Sequence, residues 1–206
     1  MPRSRDSQRW LKAHFNDPFV REAQRRGLRS RAVFKLEEID QRDHLLRPGQ
    51  TVVDLGAAPG GWSDYAARAV APRGRVIAID LLDMPAIPGV EFIQADFAQD
   101  DGLQALDACL AGTGVDLVLS DMAPNLSGQK AIDQPRAMLL AELALAFCES
   151  RLNPGGTLLV KVFQGQGFDA LLAAMRAQFD RVQSRKPRAS RDRSREVYLL
   201  ARGFRA

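Results

Sequence analysis

The chain has few cysteines, few histidines and no long apolar run, and these features exclude several classes of protein. Its 206 residues include two cysteines, Cys109 and Cys148, in apolar, helix-like runs without the spacing of a metal site, and we expect both to be small core residues. His14 and His44 stand alone, so no metal centre is predicted. No apolar run approaches the ~18 residues of a membrane span, and no secretory signal is visible. We therefore expect a cytoplasmic protein with no membrane partner.

The length and composition suit one globular domain. Hydrophobic residues make up 46% of the chain, which is enough for a sizeable core. We find no internal repeat and no linker composition in the sequence. We predict a basic arm over residues 1–30 and a single domain over residues 31–206. No exposed apolar helix face stands out, so we expect a monomer.

Charge is unevenly distributed along the chain. Residues 1–31 carry nine Lys or Arg against three Asp or Glu, and residues 176–206 carry ten against three. The stretch between them holds ten basic and nineteen acidic residues, so two basic ends flank an acidic centre. This pattern predicts a positive surface suited to a polyanion such as RNA. Trp10, Phe15 and Phe19 are interleaved with arginines, which suits RNA contact, although the same aromatics also suit packing against the body.

Strand and helix patterns alternate regularly from residue 31 onward. Apolar, β-branched runs predict seven strands, over 51–55, 75–80, 90–94, 115–121, 157–163, 180–186 and 195–201. Helical periodicity fills the intervals, over about 31–43, 61–71, 101–111, 134–151 and a stretch that ends near 179. We therefore predict an α/β, Rossmann-like fold with a mostly parallel seven-stranded sheet, helices on both faces and ligands at the carboxyl ends of the strands.

The most informative stretch is residues 51–62, a β-branched strand followed by a turn of small residues. Gly56, Gly60 and Gly61 allow the backbone to approach a ligand where a side chain would collide. A strand, a tight glycine turn and a helix form the nucleotide-binding corner of a doubly wound fold. The turn alone is compatible with a nicotinamide cofactor and with S-adenosylmethionine alike.

Acidic residues cluster at the predicted ligand-binding edge. Four aspartates end or follow the first four predicted strands: Asp54, Asp80, Asp96 and Asp121. Asp80 comes 24 residues after Gly56, close to the spacing at which a carboxylate reaches the ribose hydroxyls of an adenosine cofactor. Because clustered like charges are costly without ligands, four aspartates at one edge favour a binding site.

Lys161 stands out because it lies inside an apolar strand. A lysine in a covered strand must be paired, or must extend its amine to water. The fifth strand is expected beside the fourth, so we expect Lys161 to reach Asp121. A buried lysine can serve as a general base, and a structural ion pair is the other interpretation.

Five blocks of the sequence resemble the FtsJ/RlmE family of ribosomal RNA methyltransferases. They occur in the family's order, span nearly the whole chain and show no departure at any motif position. The blocks are Gly27–Ala32 with Phe34–Leu36, Val53–Ser63, Ser120–Asn125, Lys161–Gly165 and Ser194–Tyr198. The resemblance implies that the cofactor is S-adenosylmethionine.

The resemblance also implies an activity and the residues that perform it. We expect methyl transfer to the ribose 2′-hydroxyl of a uridine in large-subunit ribosomal RNA, on the assembled 50S subunit. The family's catalytic residues map onto Lys35, Asp121, Lys161 and Glu196. Its cofactor contacts map onto Gly60, Trp62, Asp80, Asp96 and Asp121.

These residue types suit methyl transfer to a hydroxyl. The reaction needs the hydroxyl aligned with the methyl group and its proton removed. Lys161 is the expected base, oriented by Asp121. Glu196 is expected to hold either Lys35 or the ribose. Both lysines remain candidates for the neutral amine.

Arginines next to the implied site predict the RNA surface. Arg29 and Arg31 precede the helix of Lys35, and an Arg-rich loop over 185–195 leads into Glu196. We expect these residues to guide the RNA to the site. Two other functions remain open. One is a ribosome assembly factor that binds RNA without catalysis, and the other is a nicotinamide-dependent oxidoreductase, which would leave both lysines unexplained.

Overall fold

Seven β-strands form one sheet in the computed structural model, which describes residues 17–124, 127–191 and 194–205. The strands are β1 (Thr51–Leu55), β2 (Arg75–Asp80), β3 (Val90–Gln94), β4 (Val115–Ser120), β5 (Leu152–Phe163), β6 (Phe179–Arg185) and β7 (Glu196–Phe204). Their order across the sheet is β3-β2-β1-β4-β5-β7-β6. Strands β1 to β5 are parallel to one another, and β7 runs antiparallel to both β5 and β6. The predicted mostly parallel α/β sheet is confirmed.

Helices cover both faces of this sheet. They are α1 (Pro18–Arg25), α2 (Val33–Asp43), α3 (Gly61–Val70), α4 (Asp100–Leu110), α5 (Lys130–Arg151) and α6 (Phe168–Gln178). Alternate residues of a strand point to opposite faces, so β1 sends Val52 towards α2 and α3 but Val53 towards α4 and α5. The sheet therefore lies between two apolar layers. Because both faces are covered, a ligand can bind only at the edges where the strands end.

Several boundaries differ from the sequence prediction. Helix α5 begins at Lys130 rather than near 134 and includes Pro135. Strand β5 begins at Leu152, and its register with β4 shifts between Val115 and Leu117, so the predicted turn before residue 157 is an irregular part of the strand. The core prediction is confirmed for Cys148, which is fully buried, whereas Cys109 is half-buried with its thiol donating to Glu91.

The predicted basic arm is only partly covered by the described residues. Trp10, Phe15 and the rest of residues 1–16 lie outside them, and the division of the chain at residue 30 stays a prediction. The Phe19 ring centroid lies 5.6 Å from that of Phe34 on α2, and Val20 is buried. For these two residues the structure shows packing against the body. No helix within the described ranges is long and apolar enough to cross a membrane.

A buried ion pair joins the end of α2 to the end of β6. Arg185 Nε and Nη2 donate to the two carboxylate oxygens of Asp43 at 2.7 and 2.6 Å, and the side chains are 9% and 10% exposed. The hydrogen bonds from Arg185 hold the pKa of Asp43 below its usual range. A charge left alone in such a position is strongly destabilising, because burial removes its water.

We predict that Asp43→Asn lowers the free energy of unfolding by about 3 kcal/mol, because it leaves the Arg185 guanidinium buried without a counter-charge. Asp107→Asn is the matched control. Asp107 also forms a bidentate salt bridge with Arg151, but those side chains are 42% and 38% exposed. The expected loss of unfolding free energy is therefore below about 1 kcal/mol. Urea unfolding of the native chain and both variants measures the difference, and equal losses would contradict the prediction.

Candidate active site and cofactor cleft

The loops that follow β1, β2 and β4 meet at the carboxyl edge of the sheet. The glycine turn (residues 56–60) follows β1, and the β2 loop (residues 81–89) follows β2. The main chain of the glycine turn is tightly enclosed. Gly60 has φ +93°, and a Cβ built on it would lie 2.5 Å from Cδ1 of Ile87 in the β2 loop. Glycine is therefore required where these two segments approach each other.

Asp80 lies between the glycine turn and the β2 loop, as the strand pattern predicts. Its carboxylate accepts hydrogen bonds from the backbone amides of Ala58 at 2.9 Å and Leu82 at 2.8 Å. These bonds fix the orientation of the carboxylate, and each oxygen keeps a further lone pair for a ligand. Asp96 follows β3 at the same edge, half-buried, and accepts from the amide of Ala98 at 2.9 Å. Both aspartates can therefore accept hydrogen bonds from a nucleoside.

Trp62 is placed differently from a residue that stacks on a ligand. Its side chain is buried, its Nε1 donates to the carbonyl oxygen of Ala32 at 2.7 Å, and its ring centroid lies 5.7 Å from that of Tyr198. The ring therefore packs beneath the site. A contact from Trp62 to a ligand in the cleft would come from its main chain, in the first turn of α3, where helix amides lack intrahelical partners.

Asp54 is the one strand-end aspartate that does not face the cleft. It is fully buried; Oδ2 accepts from the Ser63 hydroxyl at 2.6 Å, and Oδ1 has no hydrogen-bond partner. Burial raises the pKa of Asp54 to about 7, opposed by the hydrogen bond from Ser63 and assisted by the negative charges of Asp121 and Asp80. This carboxyl group therefore joins β1 to the first turn of α3.

The four residues of the implied catalytic set form two lysine–carboxylate pairs. Lys161 Nζ lies 3.1 Å from Oδ1 of Asp121 and donates to the Asp121 carbonyl oxygen at 2.5 Å, so the predicted contact between them is present. Lys35 Nζ lies 2.7 Å from Oε1 of Glu196, and both side chains are nearly buried. Of the two partners that the sequence offered Glu196, the structure shows Lys35.

Tyr198 connects the two pairs, and sequence reasoning assigned it no role. Its hydroxyl accepts a hydrogen bond from Lys35 Nζ at 3.1 Å and donates one to Asp121 Oδ1 at 2.6 Å. Tyr198 is fully buried, and burial together with the charges of Asp121 and Glu196 raises its pKa well above the usual value. The hydroxyl therefore keeps its proton. The sequence could have indicated that Tyr198 lies beside Glu196, because residues two apart on one strand share a face.

Ser190 is a second residue that the sequence did not single out. Its side chain is buried, and its hydroxyl donates to Oε1 of Glu196 at 2.8 Å, the oxygen that Lys35 also contacts. A serine in an Arg-rich loop carries no sequence signal for this contact. The loop nevertheless fixes the second carboxylate of the site.

The arginines that the sequence assigned to an RNA surface fall into two groups. Arg29 and Arg31 both bond within the protein: Arg29 donates to backbone carbonyls of the β2 loop, and Arg31 pairs with Asp17 and donates to the Ala189 carbonyl oxygen. Arg185 is buried against Asp43. The exposed cations of the described part of the 185–195 loop are Lys186, Arg188, Arg191 and Arg195.

The described acidic and sulfur-bearing side chains do not form a cluster of metal ligands. Within the described ranges, no group of three or more His, Cys, Asp or Glu side chains is placed to hold a metal ion. The site offers amines, carboxylates and one phenol, groups that can transfer protons and stabilise charge.

Comparison with protein families and curated proteins gives long matches. A family model described as FtsJ-like methyltransferase matches residues 28–204. The chain is 59% identical over 205 residues to a ribosomal RNA large subunit methyltransferase E of Pseudomonas aeruginosa, covering 100% of this chain and 99% of that protein. It is 57% identical over 204 residues to the protein of the same name from Stenotrophomonas maltophilia, covering 99% and 97%.

Solved structures give the same fold. A crystal structure described as a ribosomal RNA methyltransferase from Plasmodium falciparum superposes with a TM-score of 0.76 at 31% identity, covering 85% of this chain and 98% of that chain. A structure described as an rRNA methylase from Clostridium thermocellum has a TM-score of 0.58 at 20% identity, covering 82% and 97%, and shows likeness of fold alone.

We predict that Asp54 makes stability fall as pH rises. Its pKa of about 7 in the folded chain lies above the ordinary value of 3.8, so the folded state binds the proton more tightly. The stabilisation is complete below the ordinary value and is lost as pH approaches 7. Relative to Asp54→Asn, the native chain should lose up to about 3 kcal/mol of unfolding free energy between pH 5 and pH 8. Urea unfolding at both pH values measures this, and parallel pH dependences would contradict it.

Proposed function

The chain belongs to the FtsJ-like methyltransferase family, and we propose that it transfers a methyl group from S-adenosylmethionine to the ribose 2′-hydroxyl of a uridine in large-subunit ribosomal RNA. The observation that carries the proposal is the pair of lysine–carboxylate contacts joined by Tyr198, at the same sheet edge as the glycine turn. The names of the relatives support ribosomal RNA as the substrate. We place the reaction in the cytoplasm, on the assembled 50S subunit, with a monomeric enzyme.

The cleft fits the cofactor by the chemistry of its groups. Asp80 offers free lone pairs where the ribose hydroxyls of an adenosine would be held, and Asp96 offers an acceptor for the adenine amino group. The main chain of Gly60 and Trp62, at the start of α3, is assigned to contact the cofactor, and the carboxylate of Asp121 suits a positively charged ligand. S-adenosylmethionine supplies a methyl group on a sulfonium, which is already a strong electrophile. The protein must therefore position the hydroxyl and remove its proton.

Lys161 is the residue that we assign to proton removal. Its amine is held by two oxygens of one residue, the carbonyl and carboxylate of Asp121, which fixes its direction within an otherwise apolar strand. In its neutral form the amine could accept the proton of the ribose 2′-hydroxyl, so that the hydroxyl oxygen would take the methyl group as the carbon–sulfur bond of the bound donor breaks. Asp121 then stabilises the ammonium that results.

The second pair is assigned to holding the ribose. Glu196 Oε1 accepts hydrogen bonds from Lys35 and Ser190. Lys35 uses one N–H donor for Glu196 and a second for Tyr198, so a third donor of its ammonium group is left. That donor can bind an oxygen of the nucleotide. The hydroxyl of Tyr198 links this pair to the Lys161–Asp121 pair through its hydrogen bonds with Lys35 and Asp121.

The RNA surface is assigned to the exposed arginines of the 185–195 loop. The side chain of Arg188 is 86% exposed, and Arg191 and Arg195 are also exposed. The same loop carries Ser190 and leads into Glu196, so phosphates bound by these arginines would bring a nucleotide to the catalytic residues. Arg31 fixes the loop through the Ala189 carbonyl oxygen.

The alternative function is ribosome assembly without catalysis. The basic loop and the family's ribosomal RNA link are compatible with it. The intact set of four residues, which keeps the family's catalytic pattern in two lysine–carboxylate contacts, argues against it. The nicotinamide alternative has no support from the matched family.

We predict that Lys161→Met lowers methyl transfer by 10²- to 10⁴-fold, about the contribution of a general base. Methionine keeps the length and apolar stem of the side chain. Lys161→Arg should also be inactive, because a guanidinium does not release its proton. The measurement is label transfer from S-adenosylmethionine to large subunits from cells lacking the protein, with the methylated nucleoside identified and naked ribosomal RNA tested alongside.

Binding of S-adenosylmethionine to the Lys161 variants is the control for folding, and we expect it to stay within a few-fold of native. Native-level transfer by Lys161→Met would remove Lys161 from the mechanism. No label on any RNA from the native chain, despite cofactor binding, would favour the assembly function or another substrate.

The RNA surface makes a separate prediction. Replacing both Arg188 and Arg191 by Glu should weaken RNA binding at fixed salt by about tenfold or more and reduce its salt dependence, because phosphate contacts are lost. Cofactor affinity should be unchanged. Arg73→Glu is the control, since Arg73 is an exposed arginine in the turn before β2, at the opposite edge of the sheet. Unchanged RNA affinity in the double variant would contradict the assignment of the RNA surface to this loop.

A further inference from the structure

The guanidinium of Arg29 joins two segments that border the cofactor cleft. Its Nη1 donates to the carbonyl oxygen of Pro85 at 3.2 Å, and its Nη2 donates to that of Ala86 at 3.0 Å. Nη1 also lies 3.5 Å from the carbonyl oxygen of Pro59. Pro59 belongs to the glycine turn, and the other two residues belong to the β2 loop. One side chain therefore spans both walls of the cleft on either side of Asp80.

The segment between α1 and α2, which carries Arg29, also packs directly on the glycine turn and the start of α3. A Cβ built on Gly60 would lie 3.4 Å from Cδ of Arg29, and one on Gly61 would lie 2.7 Å from Oγ of Ser30. Gly60 of the turn and Gly61 of α3 therefore pack against consecutive residues of this segment. Because the segment continues into α2, it connects the cleft to Lys35.

The β2 loop depends on such support. It contains no helix or strand, and only Met84 and Ile87 bury their side chains. Leu81 and Leu82 are 62% and 68% exposed. Asp80 fixes the start of the loop by accepting a hydrogen bond from the amide of Leu82. Arg29 fixes the middle of the loop by donating to the carbonyl oxygens of Pro85 and Ala86. Without Arg29, the carbonyl groups of the middle of the loop would bond to water and the loop would be less fixed.

We infer that Arg29 is a positioning residue for S-adenosylmethionine, which sets the separation between the glycine turn and the β2 loop without itself touching the cofactor. The inference rests on the proposed function. It distinguishes Arg29 from Arg31, whose guanidinium bonds to Asp17 and to the Ala189 carbonyl oxygen on the RNA side. Two arginines of one sequence block thus hold different segments, Arg29 the β2 loop and Arg31 the 185–195 loop.

The test measures cofactor affinity and loop mobility in protein free of RNA. Arg29→Met keeps the aliphatic stem but removes the donors, so calorimetry should show about a tenfold higher Kd for S-adenosylmethionine. Arg29→Lys should recover only part of the affinity, because an ammonium lacks the fork that reaches two carbonyls. Hydrogen exchange of the amides of residues 81–89, without cofactor, should be faster in Arg29→Met.

Arg26→Met is the matched control, because it removes an exposed pair with Glu37 from the same segment and should keep native affinity and native exchange. Native Kd and native exchange in Arg29→Met would overturn the inference. Native cofactor affinity with weakened RNA binding would overturn it as well and make Arg29 an RNA contact. A native chain that does not bind S-adenosylmethionine would overturn the proposed function instead, and the exchange measurement alone would then decide whether Arg29 holds the loop.

Discussion

The antiparallel placement of β7 between β5 and β6 is the constraint on which the candidate site depends. Its register sets Tyr198 opposite Lys161 and Glu196 opposite Phe163, so the phenol and the second carboxylate arrive beside the buried lysine. Parallel pairing of β4 with β5 brings Asp121 to the same place. A slip of one residue in β7 would turn Glu196 and Tyr198 to the other face of the sheet and leave Lys35 without a partner.

The strands, the parallel core and the Lys161–Asp121 contact were predictable, because apolar periodicity and strand adjacency determine them. Other features depend on packing between distant segments. Asp54 is the penultimate residue of β1 and Asp80 the last residue of β2, yet Asp54 is buried, with Ser63 in the first turn of α3 bonded to it. Arg185 belongs to a basic loop by sequence, yet it is turned inward by Asp43, 142 residues away. No local pattern carries that information.

Charge is divided between the inside and the outside of the carboxyl edge. Asp80, Asp96 and Asp121 lie at this edge, and the exposed arginines of the 185–195 loop belong to the segment that carries Ser190 and leads into Glu196. Counting charges along the chain predicted basic ends around an acidic middle of the sequence, and a positive surface for RNA. It did not reveal that the guanidinium groups of Arg29 and Arg31 fix loops. The sequence shows the charge of an arginine but not which carbonyl oxygens accept its hydrogen bonds.

The order of the strands has a consequence for synthesis on the ribosome. Lys35 is made early, but its partner Glu196 follows 161 residues later, in the strand that must insert between two strands already made. Until β7 emerges, β5 has an open edge and β6 has no neighbour in the sheet. A nascent chain can therefore complete the glycine turn and its surrounding strands while it still lacks every catalytic partner of Lys35. Competence for chemistry is acquired in one late step, when that strand closes the sheet.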